Sequence, residues 1–276
     1  MTGPCSTNVG AVFPPDTPGA ISQMFDLHGK RAVVLGGTSG IGYAIALALA
    51  EAGAEVVASS RRTEAVEETA AALERTGART LRMTSDVADR TSLERLRDRV
   101  ERELGPISIL FNCAGMTQRL PTLDVTEGLW NQIMDINLTG TLRACQVFGR
   151  GMVDRGYGRI INIASLATFV AFMEVAPYAA SKAAVGALTK SLAVEWAPDG
   201  VTVNAIAPGI FPTALNSAII DSPRGQELLM RTPMKRFGKV EELTGTAVFL
   251  ASDEASFVTG EIVVVDGGML ASGVNQ

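Results

Sequence analysis

From Lys30 onward, short runs rich in Val and Ile alternate with longer helical patterns, and this alternation limits the fold more than any other feature of the chain. The runs "RAVVLG" (31–36), "AEVVAS" (54–59), "RTLRMTSD" (79–86), "ISILFNC" (107–113), "GRIINIAS" (158–165), "VTVNAIAP" (201–208) and "EIVVVDG" (261–267) predict seven strands. Their hydrophobicity is continuous rather than alternating, which suits a parallel sheet covered by helices on both faces. Thr91 and Glu94 have capping-box spacing ahead of a charged run that stops at Gly105-Pro106, and "EAVEETAAALERTG" closes on Gly77. No linker, repeat or composition break follows residue 30. Residues 26–276 are therefore expected to form one doubly wound α/β domain, although 276 residues would allow two. The stretch 209–239 breaks the rhythm with short helical runs, Pro and Gly, and is expected to cover a substrate beyond the sheet.

A net charge of −5 provides no basic footprint for nucleic acid and no polybasic patch for an anionic membrane, so neither partner is expected. Cys5, Cys113 and Cys145 are odd in number and irregularly spaced, which predicts thiols in a reducing compartment rather than a disulfide framework. His28 is the single histidine, so a metal site has almost no ligands to draw on and a Ser-His-Asp hydrolase is disfavoured. Residues 1–25 hold four prolines, no Lys or Arg and no apolar segment of the signal-peptide kind, and read as a flexible arm. No run approaches the ~18 apolar residues of a membrane span, and a cytoplasmic location is expected.

The first strand leads into "GGTSGIG", where Gly36, Gly40 and Gly42 have G-x3-G-x-G spacing before a helical run. Glycine allows a tight turn and a close approach to pyrophosphate, and the helix start offers free N–H groups; Thr38, Ser39 and Ile41 share that turn. A glycine turn without a ligand has the same sequence, but the order of strand, turn and helix favours a dinucleotide. Where such a fold places an acid on the adenosine ribose, the chain has Ser60, Arg61 and Arg62. A hydroxyl and two guanidiniums suit a 2′-phosphate, so NADP(H) is expected over NAD(H); two solvated arginines at a helix entrance would look alike. Asp86, followed by Val87, ends the third predicted strand and is placed to accept from an adenine amino group. Asn112, Ala114 and Gly115 end the fourth beside it.

"YAASK" places Tyr178 and Lys182 at i, i+4 spacing, on one face of a helix. A phenol needs roughly 4 kcal/mol of help to act as acid and base near neutrality. One ammonium at ~4 Å with an effective dielectric of ~20 supplies about that much. Ser165, thirteen residues earlier, could hold a reacting oxygen while Tyr178 passes it a proton and Lys182 tunes the phenol and binds a nicotinamide ribose. As an isolated pair, Tyr178 and Lys182 would equally suit a solvated helix face.

Taken jointly, these residues resemble the short-chain dehydrogenase/reductase family from about Asp26 to Ala271. The resemblance implies a single-domain Rossmann-like fold with a seven-stranded parallel sheet, NAD(P)-linked hydride transfer, and a homo-oligomer, usually a tetramer. The family's glycine motif falls on Gly36, Gly40 and Gly42, its adenine-side Asp on Asp86, and its Asn-x-Ala-Gly on Asn112, Ala114 and Gly115. Its catalytic Asn, Ser, Tyr and Lys fall on Asn137, Ser165, Tyr178 and Lys182. By resemblance, Asn137 interrupts a long helix and holds a water that extends a proton relay from the lysine. "PGIFPT" is similar to the family segment that holds the carboxamide, here Pro208, Gly209, Ile210 and Thr213. Leu35 and Cys113 depart from the family pattern at residues that mainly tie local backbone together, which bears on stability and turn geometry more than on catalysis; Ser39 stands where many NADP-linked members carry a basic residue, which leaves phosphate recognition to Arg61 and its neighbours.

The latter half is most similar to sugar-acid and polyol oxidoreductases of the gluconate 5-dehydrogenase kind, through "NCAGMTQR", "IAPGIFPT" and "RTPMKRFGKVEEL". Gln118, Arg119, Asn216 and Arg231 are polar groups that loops could bring to the cleft, and a carboxylate would suit either arginine. Phe169, Phe172, Met173 and Phe211 argue equally for a less polar carbonyl compound. A 3-oxoacyl-carrier-protein reductase is the alternative enzyme, and a non-catalytic NADP-sensing protein the alternative of another class.

Overall fold

The computed structural model describes residues 24–213 and 222–273. Six of the seven expected strands pair in parallel, in the order β2-β1-β3-β4-β5-β6. They are β1 (Arg31–Leu35), β2 (Glu55–Ser59), β3 (Ile109–Asn112), β4 (Gly158–Ile163), β5 (Val201–Pro208) and β6 (Ile262–Val265). The strand order reverses between β1 and β3, and in open parallel sheets ligands bind beyond the carboxyl ends of the strands at such a reversal. Leu35 pairs there with Ser59 on one side and Asn112 on the other.

Alternation along β1 divides the core. Ala32 and Val34 pack with α1 (Gly40–Glu51) on one face, while Val33 and Leu35 pack on the opposite face against Leu93 and Leu96 of α3 (Arg90–Glu103). Burial on both faces is why these strands are apolar throughout. Helix α2 (Thr63–Arg75) follows β2, and α4 (Glu127–Met134) runs through a single wide turn, Asp135–Thr139, into α5 (Gly140–Arg155). The wide turn is π-helical and carries Asn137, so the long helix is interrupted at that residue. Beyond β4 comes α6 (Ala176–Trp196), then α7 (Pro223–Arg231) within the 209–239 stretch, and α8 (Thr244–Ala251) before β6. Among the described residues no helix is long and apolar enough to cross a membrane.

Three expectations need correction or placement. The run 79–86 lies beside β2 but forms no continuous ladder, so the sheet has six strands and not seven. Val56 N–H donates to the Arg79 carbonyl at 3.1 Å and Ser85 N–H to the Ser60 carbonyl at 3.0 Å, but between them the Ser59 hydroxyl takes the Met83 carbonyl at 2.6 Å. A side-chain bond thus stands where regular backbone pairing would continue. The cap of α3 is Asp89, whose carboxylate accepts from Thr91 N–H at 2.9 Å, rather than the Thr91 and Glu94 pair. Most of the expected arm lies outside the described residues; Phe25, at its end, packs edge-on against Phe249 with centroids 6.2 Å apart.

Candidate active site

A cavity of about 530 Å³ opens at the carboxyl ends of the strands. Gly36, Thr38, Ser39, Gly40, Ile41 and Gly42 form one wall, because the chain turns back at the end of β1 within a space that admits no side chain. A Cβ on Gly36 would lie 2.6 Å from Ala114 N, at a φ of +75° that favours glycine. Ser39 starts α1 without capping it by its side chain, so the first-turn N–H groups remain available beside the cavity. Those donors, at a helix amino terminus, suit a pyrophosphate.

The far end is lined by Ser60, Arg61, Arg62, Asp86 and Val87. Thr38 Oγ1 donates to Ser60 Oγ at 2.8 Å, tying the glycine turn to the end of β2. The guanidiniums of Arg61 and Arg62 are exposed and have no hydrogen bond or ion pair among the described residues, whereas Arg79 and Arg82 are tied to Glu55, Glu67 and Glu74. Two uncommitted guanidiniums beside a hydroxyl suit a phosphate monoester. One Asp86 oxygen accepts from Ala88 N–H at 2.9 Å.

Ala114, Gly115, Pro208, Gly209 and Thr213 line the middle of the cavity, with Tyr178, Lys182 and Ser165 on its inner wall. Two expected cofactor contacts are elsewhere. Asn112 is buried and donates through Nδ2 to Asn162 Oδ1 at 2.8 Å, so its amide faces the core between β3 and β4. Ile210 lines a neighbouring cavity of about 240 Å³ with Arg236 and Glu242, on the other side of Phe211, which borders both. Gln132 and Ile136 also line the main cavity; their i, i+4 spacing was the available signal, but nothing local marked that face as inward.

Asn137, 1% exposed, lies behind the wall. Its Oδ1 accepts from Met116 N–H at 2.8 Å, and its Nδ2 donates to the Met116 carbonyl at 2.9 Å and to Ser181 Oγ at 3.0 Å. The amide therefore clamps the loop after β3 to α6. Lys182, 6% exposed, donates from Nζ to the Ile163 carbonyl at 2.6 Å and sits 5.7 Å from the Tyr178 ring centroid. Burial lowers its pKa to about 8. Burial also pushes the Tyr178 phenol up, with a hydrogen bond to Ser165 pulling the other way. The Ile163 carbonyl at the end of β4 thus anchors the ammonium over the Tyr178 ring, and among the protein groups alone burial acts on the phenol in the direction opposite to the one expected from Lys182. The Cys113 thiol beside them is pushed up to about 12 by burial.

The polar candidates for substrate are mostly engaged. Arg119 Nε contacts Glu174 Oε2 at 2.5 Å, and Arg231 pairs with Glu227 at 3.1 Å. Gln118 is exposed and Asn216 lies outside the described residues. Phe169 and Met173 are exposed, Phe172 is half-buried, and Arg224 Nη1 donates to the Met173 carbonyl at 3.0 Å.

Known proteins share this sequence and architecture. A family model described as enoyl-(acyl carrier protein) reductase matches residues 36–270. Gluconate 5-dehydrogenase of Gluconobacter oxydans is 38% identical over 251 residues, 91% of this chain and 98% of that protein. The 2-dehydro-3-deoxy-D-gluconate 5-dehydrogenase of Bacillus subtilis is 42% identical over 256 residues, covering 92% and 99%. The crystal structure of a gluconate 5-dehydrogenase from Burkholderia cenocepacia in complex with NADP and tartrate superposes with a TM-score of 0.87 at 39% identity, over 90% of this chain and 98% of that one. With the parallel sheet, glycine turn and Tyr178–Lys182 helix in place, the chain belongs to the short-chain dehydrogenase/reductase family of oxidoreductases.

Proposed function

We propose that the protein is an NADP(H)-dependent oxidoreductase that interconverts a carbonyl and a secondary alcohol on a sugar acid or related polyol, with Tyr178 as acid and base. One observation carries this: Tyr178, Ser165 and Lys182 meet at one end of a cavity whose other end holds two uncommitted guanidiniums. The first turn of α1 would hold the pyrophosphate, Ser60, Arg61 and Arg62 the 2′-phosphate, Asp86 the adenine side, and Pro208, Gly209 and Thr213 the carboxamide side. When bound, the nicotinamide supplies or accepts the hydride at the reacting carbon.

Ser165 donates to the reacting oxygen and aligns it with Tyr178, whose hydroxyl delivers or removes the proton at that oxygen. The Lys182 cation lies across the ring face, where its charge favours the phenolate left when Tyr178 gives up its proton. Asn137 holds Met116 and Ser181 in place through both amide N–H donors and its Oδ1. Residues 26–276 act as one catalytic unit in the cytoplasm, and the 209–239 stretch covers the substrate. Exposed Leu123, Val194 and Phe257 suit burial in a homo-oligomer, with a tetramer favoured over a dimer.

The sugar-acid assignment draws on the gluconate-type relatives. It is tested by NADPH oxidation with 5-ketogluconate and 2-dehydro-3-deoxygluconate-type acids beside acetoacetyl thioesters. Turnover of the keto-acids with no thioester activity is the expected result, and the reverse pattern would replace the assignment with acyl-carrier reduction.

A further inference from the structure

The turn of α6 that carries Tyr178 and Lys182 is held by more than its own helical ladder. The Tyr178 carbonyl accepts from Ser181 Oγ at 2.7 Å, and the Lys182 carbonyl from Thr168 Oγ1 at 3.0 Å. Each hydroxyl leads to a different neighbour. Ser181 is fully buried and accepts from Asn137 Nδ2 at 3.0 Å. Thr168 belongs to the short turn begun by Ser165, and its N–H donates to the Ser165 carbonyl at 2.9 Å.

The Ser181 hydroxyl does not favour the helix it sits in, and Thr168 lies outside that helix. Serine in a helix interior is a poorer helix former than alanine, and its back-bond to a preceding carbonyl bends the helix slightly. Asn137 Nδ2 has two N–H donors, one on the Met116 carbonyl at 2.9 Å and the other on Ser181 Oγ at 3.0 Å, so the Ser181 hydroxyl joins the buried amide to the Tyr178 carbonyl. What the two hydroxyls add is a fixed relation between three separate segments.

We propose that Ser181 and Thr168 are positioning residues that hold the Tyr178–Lys182 turn in register, Ser181 against the wide turn at Asn137 and Thr168 against the Ser165 segment. The proposal rests on the acid/base role given to Tyr178. The phenol sits at the end of a long side chain, so a small tilt of its turn displaces the hydroxyl from the reacting oxygen. A displacement of about 1 Å is enough to lose up to about 100-fold in rate. Cofactor contacts on the glycine turn and β2 do not depend on either hydroxyl.

The test uses full-length Ser181→Ala, Thr168→Val and Thr168→Ser, with Tyr178→Phe as control. Steady-state kinetics, NADPH binding and the pH profile of kcat are measured for each. Ser181→Ala and Thr168→Val should lower kcat about tenfold or more while NADPH affinity stays within about twofold. They should also move the apparent pKa of the kcat profile, and Thr168→Ser, which keeps the hydroxyl, should behave as wild type. The proposal is overturned if Ser181→Ala and Thr168→Val keep wild-type kcat and pH profile while Tyr178→Phe is inactive. It is equally overturned if both weaken NADPH binding as much as kcat, the pattern of general loosening. Full activity in Tyr178→Phe would remove the acid/base role and the proposal with it.

Discussion

Lys182 carries its charge where burial disfavours it. Its pKa falls from 10.5 to about 8 because the ammonium is desolvated on α6, a difference worth roughly 3 kcal/mol. For a base held lower in the folded state, the unfolded chain binds more protons between pH 8 and 10.5, so stability from this group rises with pH across that window. Lys182→Met should therefore melt at a higher temperature than wild type at pH 7, and thermal melts should show the difference shrinking by pH 10. A constant difference would mean that Lys182 is not strained by burial. At the other end of the cavity, Arg61→Ala removes a guanidinium with no partner among the described residues. The preference for NADPH over NADH in kcat/KM should drop about tenfold or more, the worth of one charged hydrogen bond to phosphate. An unchanged preference would return Arg61 to the solvent.

Among the elements, those specified by local spacing were legible in the sequence and those decided by distant atoms were not. The glycine turn, the Ser60–Arg62 cluster and the α6 pair are short patterns, and each reaches the cavity. Asn112 sits in an equally recognisable pattern, yet its amide turns to Asn162 on the adjoining strand, a partner fifty residues away. Likewise the position of the Lys182 ammonium depends on the Ile163 carbonyl, nineteen residues away on another element. The run 79–86 had strand composition, but it meets β2 through isolated backbone bonds and the Ser59 hydroxyl rather than a continuous ladder. The start of α3 can be tested directly. Asp89→Ala removes the observed cap and should lower stability by about 1 kcal/mol, measured by urea unfolding, while Thr91→Ala should change it by a few tenths. A larger effect at Thr91 would favour the capping box instead.

Across the whole molecule, the two ends of the sheet have different work. Away from the cavity, near the starts of β1 and β4, Lys30 and Arg159 both lie over the Tyr157 ring, at 4.1 and 4.5 Å from its centroid, and both pair with Asp253. That cluster ties the strand starts to the segment after α8. At the carboxyl ends, the same strands present the glycine turn, Ser165 and the carbonyl that anchors Lys182. The far end of the sheet is thus closed by this cluster, while the carboxyl end opens as a crevice. The central claim is that one hydroxyl in that crevice moves the proton that accompanies hydride transfer. Single-turnover oxidation of NADPH by the keto-acid substrate, in wild type and Tyr178→Phe at saturating cofactor, measures that step itself. Loss of about 100-fold or more with NADPH binding intact is predicted; a rate within a few-fold of wild type would contradict the account.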